Sequence, residues 1–114
     1  MREYETKDSG ERAEFDSGMV RDVEEGKPRF DLTMPLDLAY EDQMLVRWAR
    51  LMARGAEKYG DRNWEKASSE EECQRFRASA LRHFMQWYLG EDDEDHAAAV
   101  FFNITGAEYV DNRL

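Results

Sequence analysis

The chain has 114 residues, 26 of them acidic and 16 basic, for a formal charge of −10. That length predicts one domain, and that charge speaks against binding duplex nucleic acid, which takes clustered Lys and Arg to neutralise phosphate. Charged residues make up 37% and apolar residues 41%, against about 25% and 45–50% in ordinary globular chains, yet 12% aromatics are enough for a compact core.

The single cysteine, Cys73, has no partner for an internal disulfide. No apolar run reaches the ~18 residues that a membrane span needs, and the start lacks an apolar signal region. The expectation is a soluble, cytoplasmic chain with no membrane partner. A domain of this size buries only about two-thirds of its unfolded surface, which favours self-association.

Residues 1–19 carry Arg2, Lys7 and Arg12 against Glu3, Glu5, Asp8, Glu11, Glu14 and Asp16, with few and aperiodic apolar residues. This predicts a flexible acidic tail over 1–20, because the segment buries too little to offset its ordering entropy. Residues 20–35 predict an extended lead-in. Gly26 and Pro28 break any helix, and Phe30, Leu32 and Met34 alternate with Asp31 and Thr33. The remainder, 21–114, is read as one helical domain.

A first helix is predicted over about 37–59, where Leu45, Trp48, Met52, Ala56 and Tyr59 step by 3, 4, 4 and 3. Gly60 stops it, and residues 60–68 form a loop. A second helix starts near Ser68 or Ser69 with a capping box and ends at Gly90. Its apolar stripe is Cys73, Phe76, Ala80, Phe84 and Trp87, beside a polar line of Ser79, Arg82, His83 and Gln86. A third helix begins inside the acidic run 91–96 and reaches about Asp111. Ala97, Val100, Phe101 and Ile104 form its apolar face, and His96, Ala99, Asn103 and Gly106 a polar or small one. The short joint makes the last two helices antiparallel neighbours. The class is all-α, a bundle of antiparallel helices with an extended N-terminal segment.

The acidic run EDDEDH is the densest chemical feature. Read plainly, it is a solvated helix start favoured by the macrodipole. Read as a site, Glu91 with Glu94 and Asp92 with Asp95 share helix faces and offer hard oxygen ligands to Mg²⁺ or Mn²⁺, alongside substrate phosphates. His83 and His96, the two histidines, fall where the second and third helices meet. With the turn at Gly90, His83 is expected opposite Ala99 and Asn103, and His96 opposite Gln86 and Trp87. Such buried polar groups form either a structural hydrogen-bond network or a base-recognition pocket, with Trp87 or Trp64 stacking on a nucleobase and Asn103 or Gln86 reading its edge. The scarce bases cluster at Lys27 and Arg29, at Lys58 and Arg62 beside Asn63 and Trp64, and at Arg82. They are either surface ion-pair partners or phosphate ligands.

Three segments, EEGKPRFDL (24–32), RGAEKYGDRNWEK (54–66) and SALRHFMQWYLGEDDEDHAAAVFFN (79–103), resemble in this order the N-terminal domain of phage dATP/dGTP diphosphohydrolases. These are the MazZ-like proteins, related to the MazG-type all-α nucleotide pyrophosphohydrolases. The resemblance covers about 22–110. It implies metal-dependent hydrolysis of a purine deoxynucleoside triphosphate to the monophosphate and pyrophosphate, in remodelling of a phage nucleotide pool. It also implies Mg²⁺ or Mn²⁺ and a homo-oligomer (dimer or tetramer) built from helical hairpins.

By resemblance, Glu91, Asp92, Glu94 and Asp95 form the acidic motif. Lys27, Arg29, Lys58 and Arg62 handle phosphate, and His83, His96 and Asn103 are polar positions of the helix pair. Glu94 or Asp95 is expected to orient the attacking water. The MazG-type pattern has a second acidic motif, which is not obvious here; Glu57, or Glu70 to Glu72, would have to supply it. The alternative is a small acidic interaction protein, a DNA mimic or inhibitor without catalytic activity.

Overall fold

A computed structural model describes residues 4–23 and 26–114. Arg2 and Glu3 of the tail, and Glu24 and Glu25 of the lead-in, lie outside the described residues. The chain divides into two compact units, one up to Thr33 and one from Met34 to Leu114.

In the first unit, residues that composition assigned to a tail form a hairpin. Strands β1 (Arg12–Glu14) and β2 (Val20–Asp22) pair antiparallel, with Ala13 opposite Arg21. Gly18, at φ 89°, supplies the left-handed turn residue, and its N–H donates to Phe15 at 2.8 Å. Polar contacts rather than apolar burial hold this unit. Arg12 forks onto Asp8 at 2.7 Å, the Ser9 hydroxyl donates to Asp22, and Arg29 forks onto Asp31 at 2.8 and 2.9 Å. Apolar periodicity carries no trace of such a hairpin, which is why the sequence reading passed over it. Phe30–Thr33 then turns once in a 3₁₀ helix.

The second unit is helical: α1 (Met44–Tyr59), α2 (Glu70–Tyr88) and α3 (His96–Arg113). The first helix starts seven residues later than the expected Asp37. Gln43 explains the delay: its amide donates to the Pro35 and Leu38 carbonyls at 2.8 and 3.0 Å, folding that stretch into turns and a short 3₁₀ helix. Gly60 ends α1 at φ 89° as expected. The capping box of α2 is present: the Ser69 hydroxyl accepts from the Glu72 N–H at 3.2 Å, and the Glu72 carboxylate accepts from the Ser69 N–H at 3.1 Å.

The joint between α2 and α3 decides the site. Gly90, at φ 81°, closes α2 in a Schellman motif: its N–H donates to Trp87 at 3.1 Å, and the Glu91 N–H donates to Gln86 at 3.0 Å. The next helix starts only at His96, with Asp95 as its N-cap accepting from the Ala98 N–H at 3.1 Å. The third helix thus begins inside 91–96 as expected, but only at the last residue of that run, so no helix face carries the Glu91–Glu94 or Asp92–Asp95 pairs. A run of five like charges gains from staying splayed in solvent, and the macrodipole needs only the last acid as a cap.

Packing is chiefly α2 against α3, with α1 laid on α3. At the end away from the joint, Cys73, Ala67, Ala107 and Val110 form the core, with Phe76 against it. Gly106 admits Phe76: a Cβ there would lie 2.5 Å from its ring. The burial of α3 inverts the expected one. The polar or small face (His96, Ala99, Asn103, Gly106) is buried, whereas Phe101 and Ile104 are 43% and 50% exposed. Leu81, Phe84, Met85 and Trp87 of α2 are exposed as well. Small side chains let the two helices approach closely, leaving the bulky ones outside. Among the described residues no helix is long and apolar enough to cross a membrane.

Candidate functional site

The joint opens onto a cleft of about 720 Å³ bounded by all three helices, within the range of small-molecule sites. One wall is α1, which presents Arg54, Lys58 and Tyr59. The other is Ser79 and His83 of α2, Asp93 to Asp95 of the joint, and Phe102 and Asn103 of α3. Arg54 and Lys58 are four residues apart and so lie on one helix face. Cations thus stand on one wall and carboxylates with a histidine on the other.

The histidines touch. His83 Nδ1 is 2.9 Å from His96 Nδ1, His96 Nε2 is 2.7 Å from Asp93 Oδ1, and an Arg82 nitrogen is 3.3 Å from His83 Nε2. Guanidinium only donates and carboxylate only accepts. The proton order follows from the two ends: Arg82 donates to His83 Nε2, His83 Nδ1–H to His96 Nδ1, and His96 Nε2–H to Asp93. Burial, helped by Arg82, lowers the His83 pKa from its ordinary value. The hydrogen bond from His96 holds the Asp93 carboxyl below the usual carboxylate range.

The four expected acidic ligands part company. Glu91 and Asp92 are exposed on the turn and do not line the cleft. Both oxygens of Asp95 are taken by Arg47 at 2.7 and 2.9 Å, and one also caps α3. This bidentate pairing holds the Asp95 carboxyl below the usual carboxylate range and fixes the side chain in place. Glu94 alone keeps an exposed carboxylate that lines the cleft and makes no hydrogen bond among the described residues. It groups with His83 and His96, their donor atoms all within 4.8 Å of one another. The proposed second acidic motif is not brought here: Glu57 is exposed on α1, and Glu72 serves the far cap of α2.

Of the other expected residues, Lys58, His83 and Asn103 line the cleft. The Asn103 amide donates to the Ala99 carbonyl at 2.8 Å, leaving its oxygen as an acceptor. Asn63 and Trp64 line a neighbouring cavity of about 370 Å³ that shares Ser79 and Asn103 with the cleft. Trp64 packs edge-on to Phe102 and Tyr109 at 6.2 and 5.4 Å, so it is a packing residue more than a free stacking platform. Arg62 pairs with Glu65 at 3.1 Å. Trp87 is corrected: it lies with Phe84, Arg47 and Phe101 around a different, mostly apolar hollow. Lys27 and Arg29 belong to the first unit, where they line a separate cavity, with Arg29 on Asp31. Sequence reasoning missed Arg54, Tyr59, Asp93 and the Arg47 pairing. The four-residue spacing of Arg54 and Lys58 was the available signal.

A family model described as dATP/dGTP diphosphohydrolase, N-terminal, matches residues 17–113. No curated protein and no solved structure gives a significant match. With the match spanning nearly the whole chain, and in agreement with the resemblance of its three segments, the chain belongs to the dATP/dGTP diphosphohydrolase N-terminal domain family.

Proposed function

We propose that this chain hydrolyses a purine deoxynucleoside triphosphate, dATP or dGTP, to the monophosphate and pyrophosphate, in phage nucleotide-pool remodelling. The observation that carries this reading is the cleft, which sets Arg54 and Lys58 against Glu94 and the histidine pair. The family description supports the substrate class.

The donor set fits a divalent cation, since one carboxylate and two imidazoles bring their ligand atoms within 4.8 Å of one another. Glu94, His83 and His96 would hold it. When bound, such an ion, Mg²⁺ or Mn²⁺ among the candidates, neutralises phosphate charge and makes water nucleophilic at neutral pH. The chain's own residues do the rest. Arg54 and Lys58 bind the departing pyrophosphate and balance its charge. Glu94 orients the water for in-line attack at the α-phosphorus: a water oxygen–phosphorus bond forms and the bond to the bridging oxygen of the β-phosphate breaks. Asp95, pinned by Arg47, fixes the joint from which Glu94 reaches in. The Asn103 oxygen accepts from an N–H of the purine edge, and Tyr59 stacks on the ring.

The exposed apolar faces of α2 and α3 support a homo-oligomer, a dimer or tetramer, with Trp87 at the contact. A cation-lined cleft is of no use to a DNA mimic, so the inhibitor reading gains no support from the geometry. Pyrophosphate release, assayed over all four deoxynucleoside triphosphates with Mg²⁺, Mn²⁺, Co²⁺ or Zn²⁺ in turn, tests the proposal. Release from dATP or dGTP is expected; a folded protein that releases none overturns it.

A further inference from the structure

The two histidines raise a question that an all-carboxylate site would not. Magnesium prefers oxygen ligands and keeps much of its water, whereas imidazole suits zinc, cobalt and other borderline ions. Here two buried imidazoles, at 2% and 8% exposure, already bring their Nδ1 atoms to 2.9 Å. Two ligands at about 2.0–2.1 Å from one ion stand roughly 3–3.5 Å apart. The two nitrogens need to separate by only a few tenths of an ångström, the rings turning so that both lone pairs face the ion, and Glu94, on an exposed side chain, offers its oxygen from within 4.8 Å.

His96 also carries a feature of bound histidines. Its far nitrogen donates to a carboxylate, Asp93 at 2.7 Å. That contact sets the tautomer so that Nδ1 keeps its lone pair, and it raises the basicity of the ring.

We infer that His83, His96 and Glu94 form a site selective for a borderline first-row dication of the Zn²⁺ or Co²⁺ kind over Mg²⁺, with Asp93 orienting His96. This deepens the reading of the cleft as a metal-assisted hydrolase site and rests on it. Binding moves the His83 proton from Nδ1 to Nε2, so the exposed Arg82 must release its 3.3 Å contact. Three protein ligands leave positions open toward the cleft, where Arg54 and Lys58 wait for anionic oxygens.

The test is Co²⁺ titration of the whole, chelator-stripped chain, followed by its visible d–d absorption, with Zn²⁺ calorimetry alongside. One Co²⁺ per chain is expected, undisturbed by a hundredfold excess of Mg²⁺. His83→Ala and His96→Ala should remove the band. Because both rings are buried, the exposed variants carry equal weight: Glu94→Gln should change the band, and Asp93→Asn should weaken binding about 10–100-fold. Co²⁺ spectra indifferent to all four substitutions, or Co²⁺ displaced by equimolar Mg²⁺, overturn the inference. Pyrophosphate release is measured on the same samples. Histidine-dependent Co²⁺ binding without release from any deoxynucleotide keeps the site and overturns the hydrolase; Mg²⁺-driven release with no Co²⁺ band does the reverse.

Discussion

The two ends of the α2–α3 pair share one antiparallel geometry and differ in what they bury. Away from the joint, Cys73, Phe76, Ala107 and Val110 meet around Gly106, and the Cys73 thiol is aimed at the Ala107 carbonyl, 3.6 Å away. Beside the joint, the same helices bury His83, His96 and Asn103. Apolar burial yields free energy from area alone. The polar end must be satisfied atom by atom: a line of hydrogen bonds from Arg82 to Asp93 serves the two histidines, and the Asn103 amide donates to the Ala99 carbonyl. The first end holds the helix pair together; the second gives up some of that stability for a prearranged set of donors beside the cleft.

Breaking the polar end should cost activity more than fold. Glu94→Gln, an exposed change, should lower pyrophosphate release about 100- to 10,000-fold with an unaltered melting curve; wild-type turnover would move the chemistry elsewhere. Breaking the apolar end should do the opposite. Gly106→Val drives side-chain atoms into the Phe76 ring, already within 2.8 Å of a bare Cβ at three atoms. Overpacking of this kind costs about 3 kcal/mol at its upper range and should lower the melting temperature by more than about 10 °C.

Between these extremes lies Asp95, which caps α3 and ties the joint to Arg47 of α1. Asp95→Ala removes the cap of α3 and the Arg47 pair and should cost about 2 kcal/mol, whereas Asp95→Asn keeps the cap and should cost about half that. Denaturant titration of both variants checks the ratio. Smaller still is the pH effect. The Asp95 carboxyl is held below its ordinary value in the fold, so its contribution is complete above the unfolded carboxylate pKa. It is lost as pH falls through the lower folded value. Melting curves from about pH 6 to about pH 3 should therefore slope less in Asp95→Asn than in the wild type.

Much of the helical unit was readable beforehand because its signals are local. Gly60 and Gly90 as stops and the Ser69 capping box depend on residues a turn apart. The hairpin at 12–22 was not readable, since charged and hydroxyl groups hold it and leave no apolar period. The acidic run was conspicuous, yet its conspicuousness misled. Five adjacent carboxylates look equivalent in sequence, while in space three line the cleft, of which one caps a helix and binds Arg47, one fixes a histidine and one makes no hydrogen bond among the described residues, and two stay in solvent.

By itself the sequence determined the all-α character of the main unit, the antiparallel pairing of its last two helices and membership of the family, because helix periodicity, caps and motif order are properties of neighbours along the chain. Only the tertiary structure decided which face of α3 turns inward, that His83 meets His96, and that Arg54 joins Lys58 opposite Glu94. Those outcomes depend on how closely two helices approach, and small residues at Ala99, Asn103 and Gly106 set that approach at distances no spacing rule encodes.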